Sequence, residues 1–267
     1  MGGSMNGNAR YLDLLVRVLT NEIYRDPPAG PHYLLGRGYD QRLREAGKDW
    51  PSVAHTMAGS RCLRQVRATV EHVLGNGVAG DLVETGVWRG GVCILMRALL
   101  EVYGDPSRRV WVADSFSGMP ESDAAGDSEL ALHQFNDVLA VSQEEVEENF
   151  RRYGLLDDRV VFLAGWFEDT LPAAPIERIA LLRMDADLRS STTAILENLY
   201  DKVSPGGIIV VDDYSLPMCS AAVRTFRDAR GITDPIYSID DDAVWWCKAG
   251  SAPHVRASVA TGTGAAS

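Results

Sequence analysis

"DLVETGVWRGGVCILMRALLEVYG", residues 81 to 104, runs from a short apolar stretch through a glycine turn into a long apolar segment. Asp81 to Thr85 has the length and content of a strand, and Gly86 and Gly90 punctuate the turn after it. The apolar stretch that follows has the length of a helix. Strand, turn and helix in this order form the first half of a βαβ unit. The alternation continues downstream. "RRVWVADSFSGMP" (108–120) is a second strand ending on Asp114, and "SQEEVEENFRRYGL" (142–155) is a helix. "DRVVFLAGWFEDTLP" (158–172) is a third strand ending near Gly165. "RIALLRMDAD" (178–187) is a fourth, "SSTTAILENLYDKV" (190–203) its helix, and "SPGGIIVVDDY" (204–214) a fifth. "AAVRTFRDARGI" (221–232) adds a helix, and "PIYSIDDDAVWWCKA" (235–249) reads as a closing hairpin. Repeated units of this kind predict an α/β fold with a doubly wound, mainly parallel, Rossmann-like sheet over residues 79–250.

Upstream, the pattern over residues 11–78 is helical. "YLDLLVRVLTNEIY" places Leu12, Leu15, Val16 and Leu19 on one face, and "GSRCLRQVRATVEHVLGNG" repeats that period before a Gly-Asn-Gly stop. The polar stretch between them is too thin in apolar residues for an independent domain. The segment is therefore expected to pack on, or close over, the sheet. Residues 1–10 and 251–267 are small and polar and read as disordered ends.

Bulk properties narrow the function. A length of 267 residues suits one large domain with an extra segment, and 46% hydrophobic with 24% charged residues suits a globular enzyme. A formal net charge of −11 disfavours a nucleic-acid partner, which needs a basic footprint. Cys62, Cys93, Cys219 and Cys247 have no CxxC spacing and read as free buried thiols. No stretch reaches the roughly 18 apolar residues of a bilayer span. No signal peptide opens the chain, so a cytoplasmic location without a membrane partner is expected.

In doubly wound sheets ligands collect at the carboxyl ends of strands, and those ends carry unusual residues here. Glu84-x-Gly86-x-x-x-Gly90 spans the first strand–helix turn and departs from the dinucleotide pattern GxGxxG. It resembles instead the first motif of S-adenosylmethionine (SAM) methyltransferases, though glycine turns after strands are common. Asp114 is placed to accept hydrogen bonds from two ribose hydroxyls, or to cap a turn. Beyond Gly165, Trp166 and Phe167 offer an apolar surface for an adenine, or core packing. Asp185 and Asp187 close the fourth strand, and Asp212 and Asp213 close its neighbour. Converging carboxylates repel unless a cation offsets them, and all-oxygen ligands suit Mg²⁺. A capping role explains one of these aspartates, but not four.

The whole set resembles the TylF/macrocin O-methyltransferase family over about residues 11–246. The resemblance rests on "HTMAG", "GDLVETGVWRGG", "VWVADSFSGMP", "LHQFN", "RYGLLDDRVVFLAGWFEDTLP", "RMDAD" and "VSPGGIIVVDDY". It implies a Rossmann-like SAM methyltransferase sheet with an N-terminal helical lid, using SAM and Mg²⁺ to methylate deoxysugars of antibiotic glycosides. Asp185, Asp212 and Asp213 match the family's metal ligands, and Asp187 its proposed base. Glu84, Thr85, Gly86, Asp114 and Ser115 match cofactor positions, with Gly165, Trp166 and Phe167 beside them. Met57 matches a position next to cofactor and acceptor. The implied partner is a small sugar or glycoside, and a homodimer is compatible with the reading. The polar insertion "ESDAAGDSELALHQFNDVLA" (121–140) is expected to serve with the N-terminal segment as a lid. Two residues depart from the family pattern Met-Asp-Gly-Asp-x-Tyr: Ala186 replaces Gly and Arg189 replaces Tyr. Ala186 is strained if its φ is positive; Arg189 contacts an anionic part of the acceptor or simply faces solvent. The alternative activity is a catechol-type, Mg²⁺-dependent O-methyltransferase.

Overall fold

The computed structural model describes residues 7–30, 36–121, 127 and 130–248. The chain begins with α1 (Gly7–Leu19), β1 (Pro28–Gly30), α2 (Gln41–Ala46), β2 (Trp50–Pro51) and α3 (Ser60–Gly75). Next come β3 (Asp81–Thr85), α4 (Gly91–Val102), β4 (Val110–Asp114), α5 (Asn136–Leu139), α6 (Gln143–Arg152), β5 (Val160–Ala164) and α7 (Phe167–Thr170). It closes with β6 (Ile179–Met184), α8 (Arg189–Leu199), β7 (Val203–Val211), α9 (Pro217–Ala229), β8 (Tyr237–Ser238) and β9 (Val244–Cys247).

Seven strands form one sheet in the order β5-β4-β3-β6-β7-β9-β8. β3 pairs in parallel with both β4 and β6, while β8 and β9 form the expected closing hairpin, which β9 joins antiparallel to β7. Alternation along the strands sends Leu82, Val110, Leu181 and Ile208 into one core, with α1, α3 and α4. Val83, Trp111, Leu182 and Ile209 enter the other, with α8 and α9. Helices cover both faces, so even the six residues of β6 are all buried.

Connections run outward from β3 to β4 and β5 on one side, and from β6 to β7 on the other. The order therefore reverses between β3 and β6, which leaves a crevice beyond their carboxyl ends. Backbone hydrogen bonds carry the sheet a residue past its strands there. Asp185 N donates to Thr85 O and Asp212 N to Met184 O, each at 2.9 Å. Gly86, at φ +80°, crosses this point so closely that a Cβ would run into the Asp185 carbonyl. Only glycine suits both constraints.

The N-terminal segment differs from the expectation in two respects. α1 begins at Gly7, so residues 7–10 are its first turn rather than a disordered end. Burial of Leu12, Leu15, Val16 and Leu19 anchors that turn from one helical step away. The segment also contains a small ribbon of β1 and β2, because Arg44 gathers the intervening loops. Arg44 is 2% exposed; its guanidinium holds both Asp49 oxygens through Nε, Asp26 Oδ1 at 2.8 Å and the Thr20 carbonyl. Asp26 in turn accepts from the Val53 and Ala54 amides. This network suspends residues 51–59 across the crevice.

Within the 121–140 insertion, residues 122–126 and 128–129 lie outside the described region, as do residues 1–6 and the expected tail at 251–267. The rest of the insertion is docked: Trp88 Nε1 donates to Val138 O at 2.9 Å, and Asn136 bridges both backbone groups of Met119. Cys62, Cys93, Cys219 and Cys247 are all buried, and none of them is in a disulfide. Among the described residues no helix is long and apolar enough to cross a membrane.

Candidate active site

The crevice at the β3/β6 switch draws together most of the strand-end residues. Met57 and Trp50 face it from the N-terminal segment, Gly86 and Asp114 from one side, and Asp185, Asp187, Asp212 and Asp213 from the other. A connected cleft is lined by Ser115, Gly165, Trp166 and Phe167. Trp166 caps α7 and Phe167 opens it, and Phe167 packs partly into the core.

Asp114 holds the glycine turn from below. Its Oδ2 accepts from Val87 N at 2.7 Å and Trp88 N at 3.3 Å, and Oδ1 accepts from Phe116 N at 2.9 Å. Ser115 donates to the Gly118 carbonyl at 2.8 Å, which curls the same loop. Thr85 does not face the crevice: its hydroxyl donates to the Arg183 carbonyl within the sheet. Glu84 is 1% exposed and engaged at both oxygens, by Arg183 Nη1 at 2.6 Å and by the Cys93 thiol at 2.7 Å.

The acidic edge is more ordered than four repelling charges allow on their own. Asp213 Oδ2 accepts from the backbone amides of Ala186 at 3.0 Å and Asp187 at 2.9 Å. Those two bonds fold the chain back after β6 and place Asp187 at φ +50°; Ala186 itself keeps a negative φ. The alanine in place of glycine is therefore unstrained. Single carboxylate oxygens of Asp185, Asp187 and Asp213 lie within 4.8 Å of one another. Asp212 turns one oxygen toward Arg183 Nη2 at 2.7 Å and the Cys62 thiol at 3.4 Å. The closest trio thus includes Asp187, with Asp212 bordering it.

Burial, and then the Asp212 charge, push Asp187 up to about 6. Burial followed by Asp212 holds Asp185 well above the ordinary carboxylate range, and burial followed by Asp187 does the same for Asp213. Convergent hard oxygen donors whose ionised forms repel fit a divalent cation, which would offset the repulsion.

Two positions escaped the reading of motifs. Arg183 lies at the base of this edge, and the signal for it is a lone cation inside the apolar run "IALLRM". Asp127 caps α8 from the insertion, with Oδ1 accepting from Arg189 N at 2.6 Å and Oδ2 from the Ser190 hydroxyl at 2.8 Å. The Arg189 side chain is exposed. Nothing in the sequence announces a cap donated from 62 residues away.

Comparison with known proteins decides the family. The profile of the family Macrocin-O-methyltransferase (TylF) matches residues 8–248. The chain belongs to the macrocin O-methyltransferase (TylF) family. A Streptomyces olivaceus relative, 8-demethyl-8-(2,3-dimethoxy-alpha-L-rhamnosyl)-tetracenomycin-C 4'-O-methyltransferase, is 56% identical over 88% of this chain and 91% of its own. Mycinamicin III 3''-O-methyltransferase of Micromonospora griseorubida is 47% identical over 88% and 95% of the two chains. The solved O-methyltransferase NovP is 51% identical, with a TM-score of 0.87 over 91% of this chain and 99% of that one. This TylF-family protein is an O-methyltransferase. The family match takes in α1 to α3 as well as the sheet, so the segment across the crevice belongs to the family's own architecture.

Proposed function

We propose that the protein transfers the methyl group of SAM to a hydroxyl of a deoxysugar, carried on a natural-product glycoside or a nucleotide. The observation that carries this reading is the acidic edge beside a glycine turn at the switch point. The names of the relatives support it, since one specifies a rhamnosyl group. They favour a glycoside acceptor over a catechol.

In this reading Asp185, Asp212 and Asp213 hold Mg²⁺, which supplies Lewis acidity at the acidic edge. SAM supplies the electrophilic methyl group and would lie against Glu84, Gly86, Asp114, Ser115, Gly165, Trp166 and Phe167, while Thr85 is turned into the sheet and would not touch it. A sugar hydroxyl is a weak nucleophile at neutral pH, so its proton must be taken as the new bond forms. Asp187 takes it at its carboxylate, aimed by the two amide bonds to Asp213. Met57 and Trp50, suspended by the Arg44 network, close the crevice and keep water from competing. The test is incubation with SAM and Mg²⁺ against a panel of rhamnosylated glycosides, nucleotide-linked deoxysugars and catechols. One added methyl on a sugar is expected; turnover of catechols alone overturns the reading.

Asp114→Ala should weaken SAM binding by about 1.5–3 kcal/mol in calorimetry, the range for hydrogen bonds to a charged group. Unchanged affinity would remove Asp114 from the cofactor site.

The raised carboxyls also fix a pH dependence. In metal-free protein their ionised forms cost stability. For Asp187 that cost is absent below the ordinary carboxylate value of 3.8 and fully present above about 6; for Asp185 and Asp213, held well above the ordinary range, it likewise sets in as pH rises. Protons and Mg²⁺ therefore compete for one site. The rise in melting temperature caused by Mg²⁺ should be large at about pH 7.5 and fade as pH falls through about 6. A rise that is equal at about pH 5 and pH 7.5 counts against cation binding by these groups.

A further inference from the structure

Arg183 is wholly buried beneath the acidic edge, a position of high cost for a cation. Glu84, equally buried, already neutralises it one for one at 2.6 Å. The guanidinium nevertheless reaches two more carboxylates: Nη1 is 2.9 Å from Asp185 Oδ2, and Nη2 is 2.7 Å from Asp212 Oδ1. Among the described residues its Nε has no hydrogen-bond partner, so the guanidinium is held through its two Nη groups, both of them on carboxylates.

The effect on the carboxylates is specific. Asp185 has Oδ2 taken by Arg183, and Asp212 has Oδ1 taken by Arg183. Asp213 has Oδ2 taken by the amides of Ala186 and Asp187. Each of the three therefore keeps its other oxygen outside these bonds. A divalent ion sharing an oxygen with the guanidinium would meet a fixed positive charge within a few ångströms. Mg²⁺ accepts six oxygens in a tight octahedron and takes carboxylates singly; Ca²⁺ takes six to eight and often grips both oxygens of one carboxylate.

We propose that Arg183 sets the cation selectivity of this site, by restricting Asp185 and Asp212 to single-oxygen ligation and so disfavouring Ca²⁺ against Mg²⁺. The inference rests on the cation site proposed above.

The test is calorimetric titration of Mg²⁺ and of Ca²⁺ into the full chain with SAM present. Replacing Arg183 alone would leave Glu84 buried and unpaired, so the informative variant is the double Glu84→Gln/Arg183→Met. It removes one charge of each sign and keeps the net charge of the site constant. The ratio of the Ca²⁺ to the Mg²⁺ dissociation constant should fall by about tenfold or more, through tighter Ca²⁺ binding. A second variant, Arg183→Lys, keeps the charge but not the fork, and its ratio should also fall. Circular dichroism identifies which variant is folded. An unchanged ratio in a folded variant overturns the selectivity role while leaving the cation site standing. Wild-type protein that binds neither ion overturns the cation site itself.

Discussion

Asp187→Asn should lower turnover by about 10²–10⁴-fold, while SAM and Mg²⁺ affinities stay nearly intact. Asparagine matches aspartate in size and tolerates the left-handed backbone found at this position, so the fold-back after β6 survives. What disappears is the carboxylate that takes the proton. In the metal-free protein burial and Asp212 push Asp187 up to about 6; a cation on Asp212 would offset the second cause, and burial would still keep Asp187 a better proton acceptor than an exposed aspartate. The same experiment tests the division of labour at the acidic edge. Asp187 shares the tightest oxygen trio with Asp185 and Asp213, and Asp212 is partly turned to Arg183. If calorimetry shows that Asp187→Asn abolishes Mg²⁺ binding and Asp212→Asn does not, the two residues exchange roles. Near-full turnover in the Asn variant would leave Asp187 with neither role.

Arg44→Met should destabilise the N-terminal segment by about 3–5 kcal/mol, the cost of removing one partner from a buried ion pair. Asp26 and Asp49 would remain as buried carboxylates without their cation. At Asp26 burial alone pushes upward, but the Arg44 and Val53 hydrogen bonds outweigh it and hold the carboxyl below its usual value. At Asp49 burial prevails over Arg44 and the carboxyl is raised. Loss of Arg44 thus removes the contact that makes Asp26 tolerable as an ion. Asp26 would then release Val53 and Ala54, whose amides should lose protection in hydrogen exchange. SAM affinity should weaken in parallel as Met57 loses its support. Denaturant unfolding that shows a change below about 1 kcal/mol would mean the network behaves like an exposed pair.

Much of the sheet was legible because its signals are local. "DLVETG", "VWVADS" and "IIVVDD" each combine a short apolar run with a polar stop, and the strands end where those stops stand. The crevice followed from topology, since a doubly wound sheet gathers its strand ends. The ribbon of β1 and β2 was not legible, because two- and three-residue strands have no periodicity of their own. Asp127 shows the same limit at longer range, as it caps a helix whose own N-cap residue, Leu188, has no side-chain acceptor.

The amino-acid sequence alone thus determined the strand order's raw material, the glycine turn and the presence of four aspartates at neighbouring strand ends. Those depend on residue type and spacing, which the chain carries within a few positions. Tertiary structure decided how each carboxylate is spent. Glu84 reads as a cofactor residue from its motif, yet it is held by Arg183 from a strand 99 residues away. Asp212 and Asp213 are adjacent in sequence, but one faces a guanidinium and the other two backbone amides. Successive side chains at a strand end diverge, and the partners they meet come from other strands. Only the folded chain brings those partners together.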